Sequence, residues 1–328
     1  MKSIFYNPAC DFVMPDYGIL IPIAPDRAKK VFEALKEKYP QLDYTDLSTI
    51  EIFSRQDLER VHHKEYIARL LDDEKSLEVE MLKCFELIND KGEYHRYDPK
   101  IAKKTLSSGF EIILKRVSMT YASSLKALET GFSYHFGAGM HHAMSFGGRG
   151  FGMLNDIVLT LKKLQANGKI QTAWVIDVDA HKGDGTAELT YGDESIITLS
   201  IHMKNGWPLD QGNPLTDPWF ISSNIDIDVD ENSSREYLTM LQKGLQQLAE
   251  NYPLPDIAIV VNGADPYELD ELPSTSLLKL TKEEMLQRDL MVFHFLEKLK
   301  IPQSYVMAGG YGRHSHEIYQ QFLENIFP

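Results

Sequence analysis

The sequence predicts an α/β chain in which a mostly parallel central sheet carries helices on both faces, in a single domain. Three observations carry this expectation. Short apolar or β-branched runs alternate with helix-period segments, the β-α-β-α rhythm of a parallel sheet covered on both sides. The segments richest in chemistry directly follow three of those runs, at the carboxyl ends of strands, where sites in such sheets lie. No internal repeat, low-complexity tract or Pro/Gly/Ser linker divides residues 1–328, so one domain is the simpler reading.

In chain order, residues 1 to about 100 are helical and charged, and are expected to wrap the sheet and supply rim loops. A long helical pattern follows over Ala102 to Glu129, with Met119 and Tyr121 expected in the core. The apolar stretch Phe132 to Phe136 leads into a glycine-rich turn, and Asp156 to Ala166 is again helical. Strand-type runs at Ala173 to Val178, Ser195 to Ile201, Asn224 to Val229, Asp256 to Val261 and Gln303 to Met307 then alternate with helical patterns. The later helices are expected at Ser234 to Glu250, Lys282 to Lys298 and His314 to Ile326.

Composition limits the partners. With 328 residues and 43% hydrophobic content the chain can build a sizeable core without covalent staples. A formal charge of −14 argues against nucleic acid, which calls for a basic stripe that releases counterions. The two cysteines, Cys10 and Cys84, lie far apart and outside any CxxC pattern, so neither a disulfide framework nor a thiolate zinc knuckle is expected. The N-terminus lacks the apolar core of a signal peptide, and no run approaches the roughly 20 apolar residues of a membrane span. A cytoplasmic location is the resulting expectation.

The run Ala173 to Ile176 empties into Asp177-Val-Asp179-Ala-His181-Lys-Gly183-Asp184, where Asp177, Asp179 and His181 alternate and share one face. Burying unpartnered carboxylates costs roughly several kcal/mol each, whereas a divalent metal turns the same groups into ligands, so this stretch reads as a metal site. In Gly137-Ala-Gly-Met-His141-His142-Ala143, adjacent histidines would point about 100° apart on a helix, but a loop can aim both into one cavity. Each imidazole then needs a partner for its second nitrogen, and the surplus carboxylates Asp177 and Asp184 are candidates. Asn262-Gly-Ala-Asp265 places one carboxylate at a strand tip, where a helix cap or turn Asp is the alternative reading. Ala308-Gly309-Gly310-Tyr311 lets backbone approach a ligand closely while presenting a phenol, a weak signal alone.

Together these segments resemble the zinc-dependent histone deacetylase family. The resemblance runs through His141-His142-Ala143, Gly150-Phe151, Leu154-Asn155-Asp156, Asp177 to Gly185, Ser200-Ile201-His202, Gly263-Ala-Asp265 with Asp270, and Gly309-Gly310-Tyr311. Ile23 to Ala28 and Arg60 to Ile67 are similar to earlier family segments, so most of the chain is covered. The forms Asp-Ala-His-Lys-Gly-Asp-Gly and Ala-Gly-Gly-Tyr are closest to the class IV-like and bacterial branch. The resemblance implies an arginase/deacetylase-like fold with about eight strands, and one Zn2+ per chain held by Asp179, His181 and Asp265. It further implies His142, oriented by Asp184, as general base and acid, His141, oriented by Asp177, as an electrostatic partner, and Tyr311 as oxyanion donor. Gly150, Phe151, Trp207, Leu272, Gly309 and Gly310 would line a tunnel for a linear alkyl amine. Asp177, Asp179, His181, Ser200 and Ile201 would form a monovalent-cation site of the kind the family fills with potassium.

The implied activity is removal of an acyl group, acetyl or longer, from an acyl-lysine peptide or protein or from a small acylated amine. A binuclear manganese ureohydrolase would need a further metal-binding Asp where Gly183 stands. An inactive acyl-binding scaffold is the other rival, but the ligands, both histidine-carboxylate pairs and the tyrosine are all present. Polyamine-specific relatives carry a Glu at the tunnel mouth, and alignment puts Leu272, not Glu271, at that position. The rim carboxylate that grips a peptide backbone in many relatives should come from the loop near residues 90–98. Asp226 to Asp230 resembles the start of a calcium loop but has Glu231 where Gly is needed, which favours a strand with an acidic face. His62, His63, His95 and His135 read as structural or surface histidines, and the role of Lys182 is open.

Overall fold

The computed structural model describes residues 2–89 and 91–327. Its strands are β1 (Ser3–Phe5), β2 (Phe132–His135), β3 (Ala173–Asp177), β4 (Ile196–Met203), β5 (Ile225–Val229), β6 (Ile257–Val261) and β7 (Gln303–Val306). They form one sheet in the order β1-β2-β7-β6-β3-β4-β5, every neighbouring pair parallel. Each of the five runs read as strands holds one. The described residues form seven strands instead of about eight. β1 has three residues, too few to show a period, and β2 fills the apolar stretch before the double-histidine turn.

The helices are α1 (Arg27–Lys38), α2 (Arg55–Leu58), α3 (Lys64–Leu71), α4 (Glu74–Cys84), α5 (Phe110–Thr130), α6 (Asp156–Ala166), α7 (Asp184–Thr190), α8 (Tyr237–Asn251), α9 (Lys282–Lys298) and α10 (Ser315–Ile326). Side-chain alternation along the strands sorts them into two layers. Trp174 and Ile176 of β3, with Ala258 and Val260 of β6, pack beneath α1, α8, α9 and α10. Ala173 and Val175, with Ile257, Ile259 and Val261, face α3, α4, α5 and α6. Helix α5 starts later than its pattern suggests, because the N–H groups of Lys103 and Lys104 donate to the Asp16 carbonyl and a 3-10 turn at Ser107–Gly109 precedes it. It ends at Gly131, whose φ of 87° suits the left-handed cap. Met119 and Tyr121 are buried, as expected of core residues.

Four adjacent strands, β2, β7, β6 and β3, release their chains at one level of the sheet. Val178 N–H donates to Val261 O at 3.1 Å, Asn262 N–H to Val306 O at 3.0 Å, and Met307 N–H to His135 O at 3.1 Å. The four loops beyond these bonds therefore meet above the same carboxyl edge. A buried network braces that edge from below: Arg288 Nη1 donates to Val178 O at 3.0 Å, while its partner Asp289 accepts from Asn262 Nδ2 at 2.7 Å. Asn262 Oδ1 in turn accepts from the Tyr134 hydroxyl on β2.

Candidate active site

Asp179 and His181, on the loop after β3, meet Asp265, on the loop after β6, and ligand atoms of all three lie within 4.8 Å of one another. His181 Nδ1 is 3.2 Å from Asp265 Oδ2 and 3.4 Å from Asp179 Oδ1, and all three side chains are buried. Backbone fixes the carboxylates: Gly309 N–H donates to Asp179 Oδ2 at 2.8 Å, and Ala180 N–H to Asp265 Oδ1 at 3.0 Å. A Cβ on Gly263 or Gly309 would run into both carboxylates, so the glycines form a cradle around them. Burial, then the charge of Asp179, pushes Asp265 up to about 7. Burial also works against Asp179, but His141 and His181 hold it well below the usual range. Against its burial, the two carboxylates in turn raise His181 to about 10, and two buried carboxylates this close resist joint ionisation unless a cation is held between them.

The two histidines of the β2 loop lie beside this triad, ring centroids 3.9 Å apart and planes tilted by 48°. His141 Nδ1 lies 2.6 Å from Asp177 Oδ2, and His142 Nδ1 lies 2.6 Å from Asp184 Oδ1. Their environments drive them apart. Burial opposes the charge of His141, but Asp177 and Asp179 outweigh it and raise it to about 9. Burial and the adjacent His141 charge lower His142 to about 4, so it is neutral at pH 7 and free to accept a proton. The loop is held by Asp156, whose carboxylate accepts from the N–H groups of Gly139 at 3.2 Å and Met140 at 2.8 Å. Tyr311 follows β7, with its N–H donating to Asp270 Oδ2 at 2.7 Å. Burial, then the nearby Asp265 and Asp179 charges, raise its hydroxyl far above the usual range, so it stays a proton donor.

These groups open on a cavity of about 260 Å³ floored by His142, His181 and Tyr311 and walled by Gly150, Phe151, Trp207 and Leu272. Gly150 and Phe151 take left-handed φ values of 54° and 66°, and the His142 ring meets the Trp207 ring edge to face at 4.5 Å. A smaller inner cavity of about 80 Å³, lined by Arg27, Gly139, Met140, His141, Asp179 and Gly309 among others, lies on the same group of residues. Gly310 lines neither cavity; it is buried, with φ 138°, and its carbonyl accepts from Arg27 at 2.6 Å. Ser200 stands in register with Asp177 on β4, its hydroxyl 2.9 Å from His202 Nδ1, and Ile201 is buried next to it.

A model of the histone deacetylase domain matches residues 21–326. The chain belongs to the histone deacetylase family. It is 28% identical over 206 residues to an uncharacterised protein of Picosynechococcus, covering 62% of this chain and 64% of that protein. It is 28% identical over 218 residues to histone deacetylase 2 of Arabidopsis thaliana, covering 65% of this chain and 52% of the plant protein. An acetoin utilization protein of Staphylococcus aureus is 30% identical over 145 residues, 42% of this chain and 36% of its own. The chain thus spans less than two thirds of the length of each of these relatives. Bacterial proteins among them agree with the bacterial-branch resemblance.

In this histone deacetylase domain, Ser274 and Arg149 stand outside the motifs read from the sequence. Ser274 Oγ sits 3.1 Å from His181 Nε2, on the side away from the triad. Arg149 lies over the rings of Trp207 and Trp219, at 5.2 and 4.0 Å, and its Nε is 3.7 Å from Asp184 Oδ2, which has no hydrogen-bond partner. Arg27 grips the carbonyls of Ala308 and Gly310, a role its place in the Ile23 to Ala28 segment could have suggested. Lys182 is buried against Asp226 at 2.9 Å, and Asp226 to Val229 is strand β5, not a calcium loop. His62 and His135 are buried, while His63 and His95 are exposed. Asp98 Oδ1 accepts from Lys100 N–H and is not on the cavity, and Asp90 lies outside the described residues.

Proposed function

We propose that the chain is a zinc-dependent amidohydrolase that removes an acyl group from an N-acylated lysine side chain or a similar alkyl amine. The observation that carries this reading is the Asp179/His181/Asp265 triad beside two histidine-carboxylate pairs, with Asp179, His181, His141, His142 and Tyr311 lining one cavity. The donor set fits the metal: two carboxylates and an imidazole suit Zn2+, and the repulsion from Asp179 that helps to raise Asp265 is what a dication would relieve. When bound, zinc would supply Lewis acidity toward the amide carbonyl and lower the pKa of a water. Neutral His142, held by Asp184, takes a proton from the attacking water and returns it to the leaving nitrogen. The hydroxyl oxygen joins the carbonyl carbon, the C–N bond breaks, and carboxylate and amine leave. Protonated His141 and the Tyr311 hydroxyl stabilise the negative charge that develops on the carbonyl oxygen.

Gly183 leaves no ligand for a second metal, which speaks against the manganese ureohydrolase reading. Leu272, and not Glu271, lines the tunnel; Glu271 accepts from Arg313 N–H at 3.1 Å, outside it, which disfavours a polyamine. We further assign Asp177, Asp179, His181, Ser200 and Ile201 to a potassium site, residues 1–328 to one catalytic domain, and the protein to the cytoplasm. No described helix is long and apolar enough to cross a membrane. Elemental analysis together with a panel of acetyl-lysine, longer acyl-lysine and acetylpolyamine substrates tests the reading. One zinc per chain and turnover of an acetyl-lysine substrate are expected. Two manganese ions per chain, or no turnover of any amide by zinc-loaded protein, would overturn it.

A further inference from the structure

The mouth of the tunnel carries a feature that the hydrolytic chemistry does not use. Above the apolar walls, the 260 Å³ cavity is lined by Glu86, Arg96 and Gln211. Glu86 Oε2 and Arg96 Nη1 are 3.6 Å apart, with the side chains 42% and 33% exposed, so the pair is reachable from solvent and from the tunnel. The two residues flank the base of a short hairpin, where Ile88 bridges Tyr94 and His95 N–H donates to Leu87 O at 2.8 Å. Both adopt left-handed backbone, φ 54° at Glu86 and 53° at Arg96. At Glu86 that conformation caps the end of α4, where Glu86 N–H donates to Lys83 O at 3.0 Å and Leu87 N–H to Leu82 O at 2.8 Å. A partly exposed ion pair adds little to stability, so it is the place of the pair on the cavity lining that points to ligand recognition. Arg149, the other cation near the mouth, is already engaged with Trp207, Trp219 and Asp184.

Resting on the deacylase reading, we infer that Glu86 and Arg96 are specificity determinants that recognise the zwitterionic head of a free ω-N-acyl amino acid, of the acyl-lysine or acyl-ornithine type. The α-ammonium takes the place of Arg96 at Glu86, and the α-carboxylate takes the place of Glu86 at Arg96, whose planar fork suits a carboxylate. Gln211 offers a neutral hydrogen bond at the same level. The alkyl chain then lies between Phe151 and Trp207, with the amide at the tunnel floor. An internal acyl-lysine of a peptide has neither charge, and a polyamine brings only positive charge toward Arg96.

The test compares free Nε-acetyl-L-lysine with its Nα-blocked, carboxamide and doubly blocked forms on the zinc-loaded protein. Each blocked end should lower kcat/KM about fivefold, the scale of a partly exposed charged contact. Arg96→Gln should abolish the preference for the free carboxylate and keep that for the free amine, and Glu86→Gln should do the reverse. Equal kcat/KM across the four compounds, or variants that affect all four alike, would overturn the inference while leaving the deacylase reading intact. If none of the four is hydrolysed, the deacylase reading is decided by the wider substrate panel, and calorimetric titration of the same compounds decides the mouth: tighter binding of the free amino acid, weakened by either variant, supports the zwitterion site, and equal binding rejects it.

Discussion

Tyr311 and Asp184 separate two kinds of contribution to the proposed chemistry. Tyr311 Oη belongs to a buried phenol that stays protonated, and its loss removes a donor without touching the triad. Tyr311→Phe should bind zinc at the wild-type stoichiometry yet lose about 10²–10³-fold in kcat/KM toward an acetyl-lysine substrate; near-full activity in that variant would refute the oxyanion role. Asp184 acts through His142, 2.6 Å away. Asp184→Asn should lower kcat by on the order of 10²-fold with KM little changed, because the base loses its orienting charge while the tunnel keeps its walls; steady-state kinetics separate the two terms. These residues were legible in the sequence because each sits in a dense motif. Arg149, Ser274, Glu86 and Arg96 were not, since isolated polar residues acquire meaning only from their neighbours in space.

At the scale of elements, the strand ends do the positioning. The turn after β7 approaches so closely that Gly309 N–H bonds Asp179, and the Tyr319 hydroxyl of α10 donates to the Gly309 carbonyl behind it. A methyl group at Gly309 would meet the carboxylates of Asp179 and Asp265. Gly309→Ala should therefore keep native helicity by circular dichroism but bind zinc about 10–100-fold more weakly; metal affinity equal to wild type would show that the cradle is dispensable. The strand runs could be read from their apolar composition, and α6 and α9 from their helical pattern, which the structure shows to begin at caps on Asn155 and Thr281. The starts of α5 and α8 could not, because 3-10 turns at Ser107–Gly109 and Ser234–Glu236 extend the same helical period without α-helical hydrogen bonding.

Across the whole molecule, buried neutral histidines tie stability to pH. His62 Nδ1 pairs with Met144 O at 2.8 Å and its Nε2 accepts from Asn155 N–H at 3.1 Å, an arrangement that only the neutral ring satisfies. Burial lowers His62 to about 4, and burial with the Arg116 charge lowers His135 to about 3. A folded-state pKa below the unfolded value means that stability is fully present above pH 6.5 and is lost as pH falls toward 4, because the unfolded chain then binds protons that the folded chain refuses. Each histidine should cost on the order of 2–3 kcal/mol by pH 4. The melting temperature should fall steeply between pH 6.5 and 4, and His62→Gln should flatten that slope; an unchanged slope would remove His62 from the account.

The sequence by itself determined the layered α/β architecture, the family, and which motif side chains gather at the candidate site. Those properties are local: an apolar run specifies a buried strand, and a clustered motif places its own residues within reach of one another. Tertiary structure alone decided the number of strands, the packing of Gly310 away from both cavities, and the meeting of Glu86 with Arg96 at the tunnel mouth. Each of these depends on contacts between segments distant in sequence or on backbone conformation that residue type does not dictate, and parallel register at the edges of β2, β7, β6 and β3 is what brings the segments together.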